Sequence, residues 1–485
     1  MAMGFKLGLN KPSITLALCT KFCLGFLLLS VFNGFHFDAH FHTFESGDTE
    51  GYLDPPKNLL AHGTWAIDIN EPETCATRPP LYGLVYLPLR AVAPERAADL
   101  LLVVLQLAAS AFAALMFAET VRLICLSDAL AWVAFAFALL SFQLLCYDLR
   151  LLPESFAVSA AIAANYYLVR DKLARPSTSV VIGMLLVIVV ILIPYLGLIF
   201  PVLGAVLLFV HGKEWRLVAR HGAGLFLPFA FAFSAWSAWI FPHVGRLVIF
   251  QTSFPAAYKS ARAYFDFVQS WGGDTVFWNP DSAAGWFSDE PESRDYRFPA
   301  EIFEGQSYSL ESLKEAKALM MQSGLRFDST GYLSAPGYAL AQTSLDRFAK
   351  EFKARNPFHA AVKAPALIFL KYVSVIQTDT IRNSNFYARS RSLRTAVDVS
   401  AVTLNLMLLL GLFAYVFLPR ERRAELAPAY AAMLVIVLVV TFYITTMLRR
   451  PEGRYALVTL WLAYPWSFAA LWGLNRLRGG AVGRT

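Results

Sequence analysis

Residues 46–82 place acidic, aromatic and basic side chains directly after the first hydrophobic segment of the chain. Asp48 precedes Tyr52 by four residues, and an Arg-Pro-Pro-Leu-Tyr run, Arg78 to Tyr82, leads back to the next hydrophobic region. A carboxylate can act as a general base towards a hydroxyl group, and a guanidinium offers a planar set of donors suited to phosphate. This stretch therefore predicts a site where a carboxylate meets a lipid phosphate at the membrane surface.

A second group of cations lies near the C-terminus, in the short segment between the last two hydrophobic stretches. Arg449, Arg450 and Arg454 all fall there, and Tyr455 follows directly. We predict that this loop is exterior, where Lys and Arg are disfavoured, so its arginines indicate an anionic partner. We predict that Arg454 binds a phosphate with help from Arg449 or Arg450; the alternative is a salt bridge to Glu452 or contact with outer-leaflet lipid.

The composition assigns the chain to a broad class. Of its 485 residues, 57% are hydrophobic and 16% are charged, and the mean hydropathy is +0.49. A soluble domain of this size needs more charge on its surface, so we predict an all-α polytopic membrane protein. A helix needs about 20 apolar residues to cross the hydrocarbon, which predicts about ten spans. They lie near 14–33, 97–119, 129–147, 154–170, 178–194, 195–211, 223–241, 396–418, 427–447 and 455–474.

The distribution of Lys and Arg predicts the orientation. With the N-terminus inside, every predicted inner segment is basic, for example around Arg175, Arg216 and Arg422. The net charge of +7 follows largely from these ends, so nucleic acid is not a predicted partner, whereas membrane lipids are. Lys21 lies inside the first span, which favours a retained helix over a cleaved signal peptide.

This topology predicts three segments. Residues 1–241 form a transmembrane module with an exterior loop at 34–96, and residues 396–485 form the C-terminal helices. Between them, 242–395 is a hydrophilic exterior region with two soluble helices, Leu310 to Gln322 and about Tyr338 to Ala354, and an interfacial helix at 360–378. In the exterior loop, Tyr52 to Trp65 and Leu81 to Ala93 are predicted to form short surface helices.

Three acidic residues are candidates for catalysis, and each has a plainer interpretation. Asp48 is the candidate base, but Asp is also a common helix N-cap. Asp148 and Glu154 flank a short exterior turn, where they could orient a substrate or serve as ordinary interface charges. No Cys or His spacing indicates zinc, and we predict no metal at the site. A divalent cation held by the three carboxylates is the minor alternative.

The order of these motifs resembles the GT-C superfamily of integral-membrane glycosyltransferases. The shared features are Asp-x-x-x-Tyr at Asp48, the run Asn58 to Gly63, the Pro-Pro-Leu-Tyr return and Glu-x-Arg-Tyr at Glu452. The layout is similar to the branch with protein mannosyltransferases, aminoarabinose transferases and lipid A galacturonosyltransferases. Many members of that branch have Asp-Glu in the first motif, whereas here Thr49 follows Asp48.

The resemblance implies an enzyme that moves a sugar from a polyprenyl-phosphate carrier to a lipid, glycan or protein acceptor. Asp48 would be the base, with Asp148 and Glu154 assisting at the catalytic site. Tyr52, Arg78, Tyr82, Arg449, Arg450, Arg454 and Tyr455 would bind substrate. The expected location is the bacterial inner membrane, with the site facing the periplasm.

Other functions fit parts of the same sequence. A polysaccharide polymerase or ligase would also use exterior arginines and a large exterior region. A secondary transporter would place ionisable groups near the midplane of several spans, and here Lys21 is nearly the only one. A non-catalytic lipid-binding scaffold would tolerate all of these features except an exposed Asp48 and the exterior arginines.

Overall fold

The computed structural model describes residues 10–33, 48–70, 72–171, 174–245, 247–248, 264–273, 275, 283, 286, 296–322, 336–375, 391–448 and 453–482. Within these residues the secondary structure is helical. Ten helices, α1 to α10, lie in the first half: Lys11–Phe32, Thr49–His62, Leu81–Val92, Glu95–Cys125, Asp128–Leu139, Phe142–Asp148, Glu154–Asp171, Pro176–Leu192, Ile199–His211 and Trp215–Val244. The later α-helices are Leu310–Gln322, Pro336–Arg355, Ala364–Val375, Arg391–Leu412, Ala414–Phe417, Arg420–Phe442 and Gly453–Val482.

The described part of the chain has the make-up of a polytopic helical membrane protein, but with fewer full-length spans than predicted. Five helices are long and apolar enough to cross a membrane, and the bent pair α5 and α6 would make a sixth. The predicted count of about ten is therefore wrong by this measure. Several predicted spans form shorter apolar helices, including Pro176–Leu192, Ile199–His211 and Val402–Leu412.

Local sequence explains where several helices begin and end. Asn10 caps α1 by accepting a hydrogen bond from the Ser13 amide at 3.0 Å, and Ser127 caps α5 in the same way. The long apolar run between residues 178 and 211 breaks at Pro194, where the predicted spans 178–194 and 195–211 meet, because proline removes a backbone donor. Gly245 ends α10 with a φ of 67°, in the left-handed region that glycine adopts without strain.

Helices α8 and α10 pack against each other through two glycines. A Cβ atom added at Gly183 would lie 2.5 Å from the carbonyl oxygen of Gly224, so the two backbones approach closely. Small residues allow such contacts between membrane helices, where dispersion forces between packed atoms drive association. The two glycines thereby set the spacing of this helix pair.

We expect Gly183→Ala to lower the free energy of unfolding by about 1–3 kcal/mol, because the added methyl group meets rigid backbone. Gly222→Ala is the matched control, since a Cβ at Gly222 meets nothing within 4 Å. Unfolding of the two variants in the same detergent would be compared with wild type. Equal stability of all three proteins would contradict the close packing.

The chain divides into two compact units. The first comprises Met1–Thr252, Thr380–Val440 and Leu457–Thr485, and the second comprises Ser253–Asp379 and Thr441–Ala456. The second unit has its own hydrophobic core, which includes Phe267, Trp271 and Phe348. Its helices Leu310–Gln322 and Pro336–Arg355 confirm the two helices predicted there. The helix predicted at 360–378 begins with a π-helical turn, His359–Lys363, and continues as Ala364–Val375.

Candidate active site

The predicted exterior loop folds as a helical hairpin of α2 and α3, close to the bounds predicted for its surface helices. Gly63 ends α2 with a φ of 73°, and the Asn58 side chain donates to the carbonyl oxygens of Ala66 and Ile67 at 2.8 and 3.0 Å. The two helices of the hairpin approach closely at Gly83, because glycine has no side chain there. A Cβ atom added at Gly83 would lie 2.9 Å from the Tyr52 carbonyl oxygen. The run Asn58 to Gly63 thus shapes the hairpin that presents the predicted site residues.

Asp48 and Arg78 form an ion pair across this hairpin. The Arg78 guanidinium donates to the Asp48 carboxylate, and the two side chains are 16% and 23% exposed. Asp48 occupies the N-cap position of α2, but its side chain makes no capping hydrogen bond. Asp48 therefore holds the N-cap position without capping α2 through its side chain. Arg78 lies over the Tyr52 ring, 5.2 Å from its centre, so a cation–π contact also holds the guanidinium.

Tyr82 connects this pair to the interior of the first unit. Its ring meets the Tyr52 ring edge-on at 5.7 Å, and its hydroxyl donates to Gln106 Oε1 at 2.5 Å. The Gln106 amide nitrogen in turn donates to the carbonyl oxygens of Asp148 and Arg150, at 2.8 and 2.7 Å. One buried glutamine on α4 therefore joins α3 to the turn that follows α6.

The Asp148 side chain lies in a buried ion pair that sequence reasoning missed. Lys21 Nζ lies 2.8 Å from Asp148 Oδ2, with side-chain exposures of 0% and 1%. Ser155 donates to the other carboxylate oxygen at 2.7 Å. The signal was present in the sequence, because a lone lysine in an apolar span requires an anionic partner. Which acid it would meet, 127 residues away, depends on the tertiary fold.

Glu154 begins α7 and is 6% exposed. Burial, and then the negative charge of nearby Glu154, raise the pKa of Tyr82 well above its ordinary value. Tyr82 therefore remains a neutral phenol at physiological pH and can donate to Gln106. Asp48 and Asp148 thus pair with different cations, and no group of three metal-binding side chains occurs among the described residues.

The structure brings most of the first predicted site together. Thr49, at the start of α2, donates to the Leu151 carbonyl oxygen at 3.2 Å, so the hairpin joins the 148–154 turn. Arg449 and Arg450 lie outside the described residues. Arg454 and Tyr455 fall in the first turn of Gly453–Val482, and their side chains are outside the described part.

An apolar groove of about 340 Å³ begins beside Tyr82. Leu81 and Phe156 line it, and Phe156 also contacts the Tyr82 ring at 6.1 Å. It then follows α4 from Ala109 to Met116, about 11 Å at the rise of an α-helix. Small residues of α4 and α7, Ala113 and Ala160 among them, form its walls. The groove can take a hydrocarbon chain whose polar end lies near the hairpin.

Comparison of the chain with protein-family models, with curated proteins and with solved structures finds no match. The resemblance to the GT-C superfamily therefore remains a prediction from the motifs.

Proposed function

We propose that the protein is a glycosyltransferase that moves a sugar from a polyprenyl-phosphate carrier to an acceptor hydroxyl at the outer face of the membrane. The observation that carries this proposal is the Asp48–Arg78 pair, in which Arg78 precedes by three residues Leu81, a lining residue of the apolar groove. A polyprenyl-phosphate sugar has the matching parts in the same order: a hydrocarbon chain, a phosphate and a sugar.

Arg78 is the proposed ligand of the carrier phosphate. A guanidinium has five N–H donors, so one arginine can hold a carboxylate and a phosphate together. The Tyr52 ring supports the guanidinium, which donates to the Asp48 carboxylate. This arrangement would bring the anomeric carbon, which is bonded to the phosphate, next to the Asp48 carboxylate. Arg454, with Arg449 or Arg450, stays a predicted phosphate ligand from the sequence pattern alone.

Asp48 is the proposed general base. Its carboxylate would accept the proton of the acceptor hydroxyl while that oxygen forms a bond to the anomeric carbon. The bond from the anomeric carbon to the phosphate oxygen would break at the same time, and its electron pair would leave with the polyprenyl phosphate. Attack opposite to the leaving group inverts the anomeric configuration. Arg78 would stabilise the negative charge that develops on the phosphate.

The structure favours a supporting role for Asp148 within this proposal. Its carboxylate already holds Lys21 and Ser155 in the interior of the unit. Its neighbour Glu154 lies at the start of α7, two residues before Phe156, which lines the groove. Glu154, rather than Asp148, is therefore the proposed second acid near the reacting groups.

Binding of polyprenyl phosphate to purified protein tests the phosphate assignment. We expect Arg78→Ala and Arg454→Ala to weaken binding by about tenfold or more each, since a charge-assisted hydrogen bond contributes ~1.5–3 kcal/mol. Arg347→Ala, remote from both motifs in sequence, serves as a control for the loss of one positive charge. Wild-type affinity in both arginine variants would overturn the assignment.

A large side chain in the groove should prevent binding of the carrier's hydrocarbon chain and leave binding of its phosphate group intact. We expect Ala160→Phe to reduce affinity for long polyprenyl phosphates by about tenfold or more, because burial of each CH₂ group contributes ~0.8 kcal/mol. Binding of a short, water-soluble prenyl phosphate should change little. Ala205→Phe, at an exposed position on α9, is the matched control. If Ala160→Phe bound long carriers as tightly as wild type, the chain would lie elsewhere.

A further inference from the structure

A second groove lies between α8 and α10 and shares Ile188 with the groove at the candidate site. It has a volume of about 850 Å³, within the range of sites that bind small organic ligands. Gly224 forms part of its floor, where α8 and α10 approach most closely, and Val180 and Met184 line its α8 side. Leu227 and Phe231 line the α10 side and are 64% and 78% exposed. The walls are apolar and open to the surroundings of the helices.

One end of this groove carries positive charge. Arg220 lines it directly, next to Pro176 at the first turn of α8. Arg175 precedes α8, and Lys213 and Arg216 lie near the start of α10, all of them exposed. No ion pair of Arg220 is formed within the part of the chain that the structure describes. The basic end is therefore complementary to an anionic group.

The groove has the length of one leaflet. From Arg220 to Ala232 it follows α10 for about 18 Å, at 1.5 Å per residue. Half of the ~30 Å hydrocarbon core is about 15 Å, which an acyl chain of a phospholipid fills. A charged head at Arg220 would place the end of such a chain near Ala232.

We infer that this groove binds an anionic glycerophospholipid, with its phosphate at Arg220 and an acyl chain along α8 and α10. The Arg220 end of the groove lies beside Pro176, at the opposite end of α8 from the part that lines the candidate active site. Helix α7 begins at Glu154 beside the hairpin, and α8 starts at Pro176 and packs back along it. The distribution of Lys and Arg predicts that the Arg220 end is cytoplasmic, where anionic lipids attract basic residues. The inference does not depend on the proposed transferase activity.

Native mass spectrometry of the purified protein tests this site. The protein would be released from mixed micelles that contain equal amounts of phosphatidylglycerol and phosphatidylcholine with identical acyl chains. We expect wild type to retain phosphatidylglycerol about fivefold over phosphatidylcholine, the preference that one basic residue at an anionic surface produces. Arg220→Gln should remove this preference, whereas Arg216→Gln, on the same helix outside the groove lining, should keep it.

A second pair of variants tests the acyl-chain part of the site. Ala232→Phe fills the far end of the groove and should reduce retention of both lipids by several fold. Ala235→Phe introduces the same side chain at an exposed position on α10, outside the groove lining, and should leave retention unchanged. All variants alter exposed or partly exposed positions, and unchanged thermal unfolding would confirm that they fold.

Three results would overturn the inference. Equal retention of the two lipids by wild type, or an unchanged preference in Arg220→Gln, would exclude a headgroup site at Arg220. Displacement of phosphatidylglycerol by polyprenyl phosphate, abolished in Ala232→Phe, would identify the occupant as the carrier and not a phospholipid.

Discussion

Asp48→Asn is expected to lower sugar transfer by about 10²–10⁴-fold while the protein remains folded. Asparagine has the same shape as aspartate and can still accept a hydrogen bond from Arg78, but it cannot take the proton of an acceptor hydroxyl. Since the Asp48 side chain does not cap α2, the loss cannot be attributed to a lost helix cap. Transfer would be measured from a panel of radiolabelled polyprenyl-phosphate sugars by purified protein in nanodiscs.

Asp68→Asn is the matched control for this substitution. Asp68 lies in the same hairpin. Its carboxylate oxygen Oδ1 accepts a hydrogen bond from the backbone amide of Asn70 at 2.8 Å. We expect this variant to retain transfer. Binding of polyprenyl phosphate by Asp48→Asn should persist if the variant has lost only the base. Weakened binding would instead indicate that Arg78 has been displaced. If Asp48→Asn turned over like wild type, Asp48 would be an ion-pair partner of Arg78 and not the base.

Lys21→Met should have the largest effect on stability. The substitution keeps much of the side-chain volume but leaves the buried Asp148 carboxylate without its cation, which costs about 3–5 kcal/mol. Replacing Asp148 by Asn in the same protein should recover most of this loss, because no charge then remains and the amide oxygen can still accept from Ser155. Thermal unfolding of wild type, the two single variants and the double variant would be compared.

The same double variant also tests the role of Asp148. If Asp148 only positions the turn at 148–154, Lys21→Met with Asp148→Asn should restore transfer together with stability. If the double variant regained its stability and remained inactive, Asp148 would have a direct role in the reaction. Additive effects of the two single substitutions on stability would instead show that Lys21 and Asp148 do not interact.

Short-range features of the fold could be predicted from the sequence, because they depend on local patterns. The hairpin helices, the break at Pro194 and the helix Leu310–Gln322 each follow from apolar periodicity, proline or glycine within a few residues. The number of spans was less predictable. An apolar run such as 195–211 is close to the length that a short or tilted span needs. The first turn from Pro194 is a 3₁₀ helix, however, and it shortens the α-helix that follows.

The composition of the candidate site could be predicted, but its connections could not. Asp48 and Arg78 were both candidates from their residue types, whereas their pairing depends on the turn between α2 and α3. The sequence did not mark Gln106 or Ser155 as part of the site, because single polar residues within apolar helices are common. Their importance comes from what they contact: the Gln106 amide bonds two carbonyl oxygens of the 148–154 turn, and Ser155 bonds the Asp148 carboxylate.

The buried pair of Lys21 and Asp148 has a consequence for how the protein is made. Lys21 enters the membrane with the first helix, but its partner follows 127 residues later. At a synthesis rate of about 5–20 residues per second, the cation is without that partner for about 6–25 seconds. A lysine at the centre of a span costs ~2.5–3.5 kcal/mol on insertion. The first helix therefore reaches its final, fully stabilised position in the bilayer only after α6 has been translated.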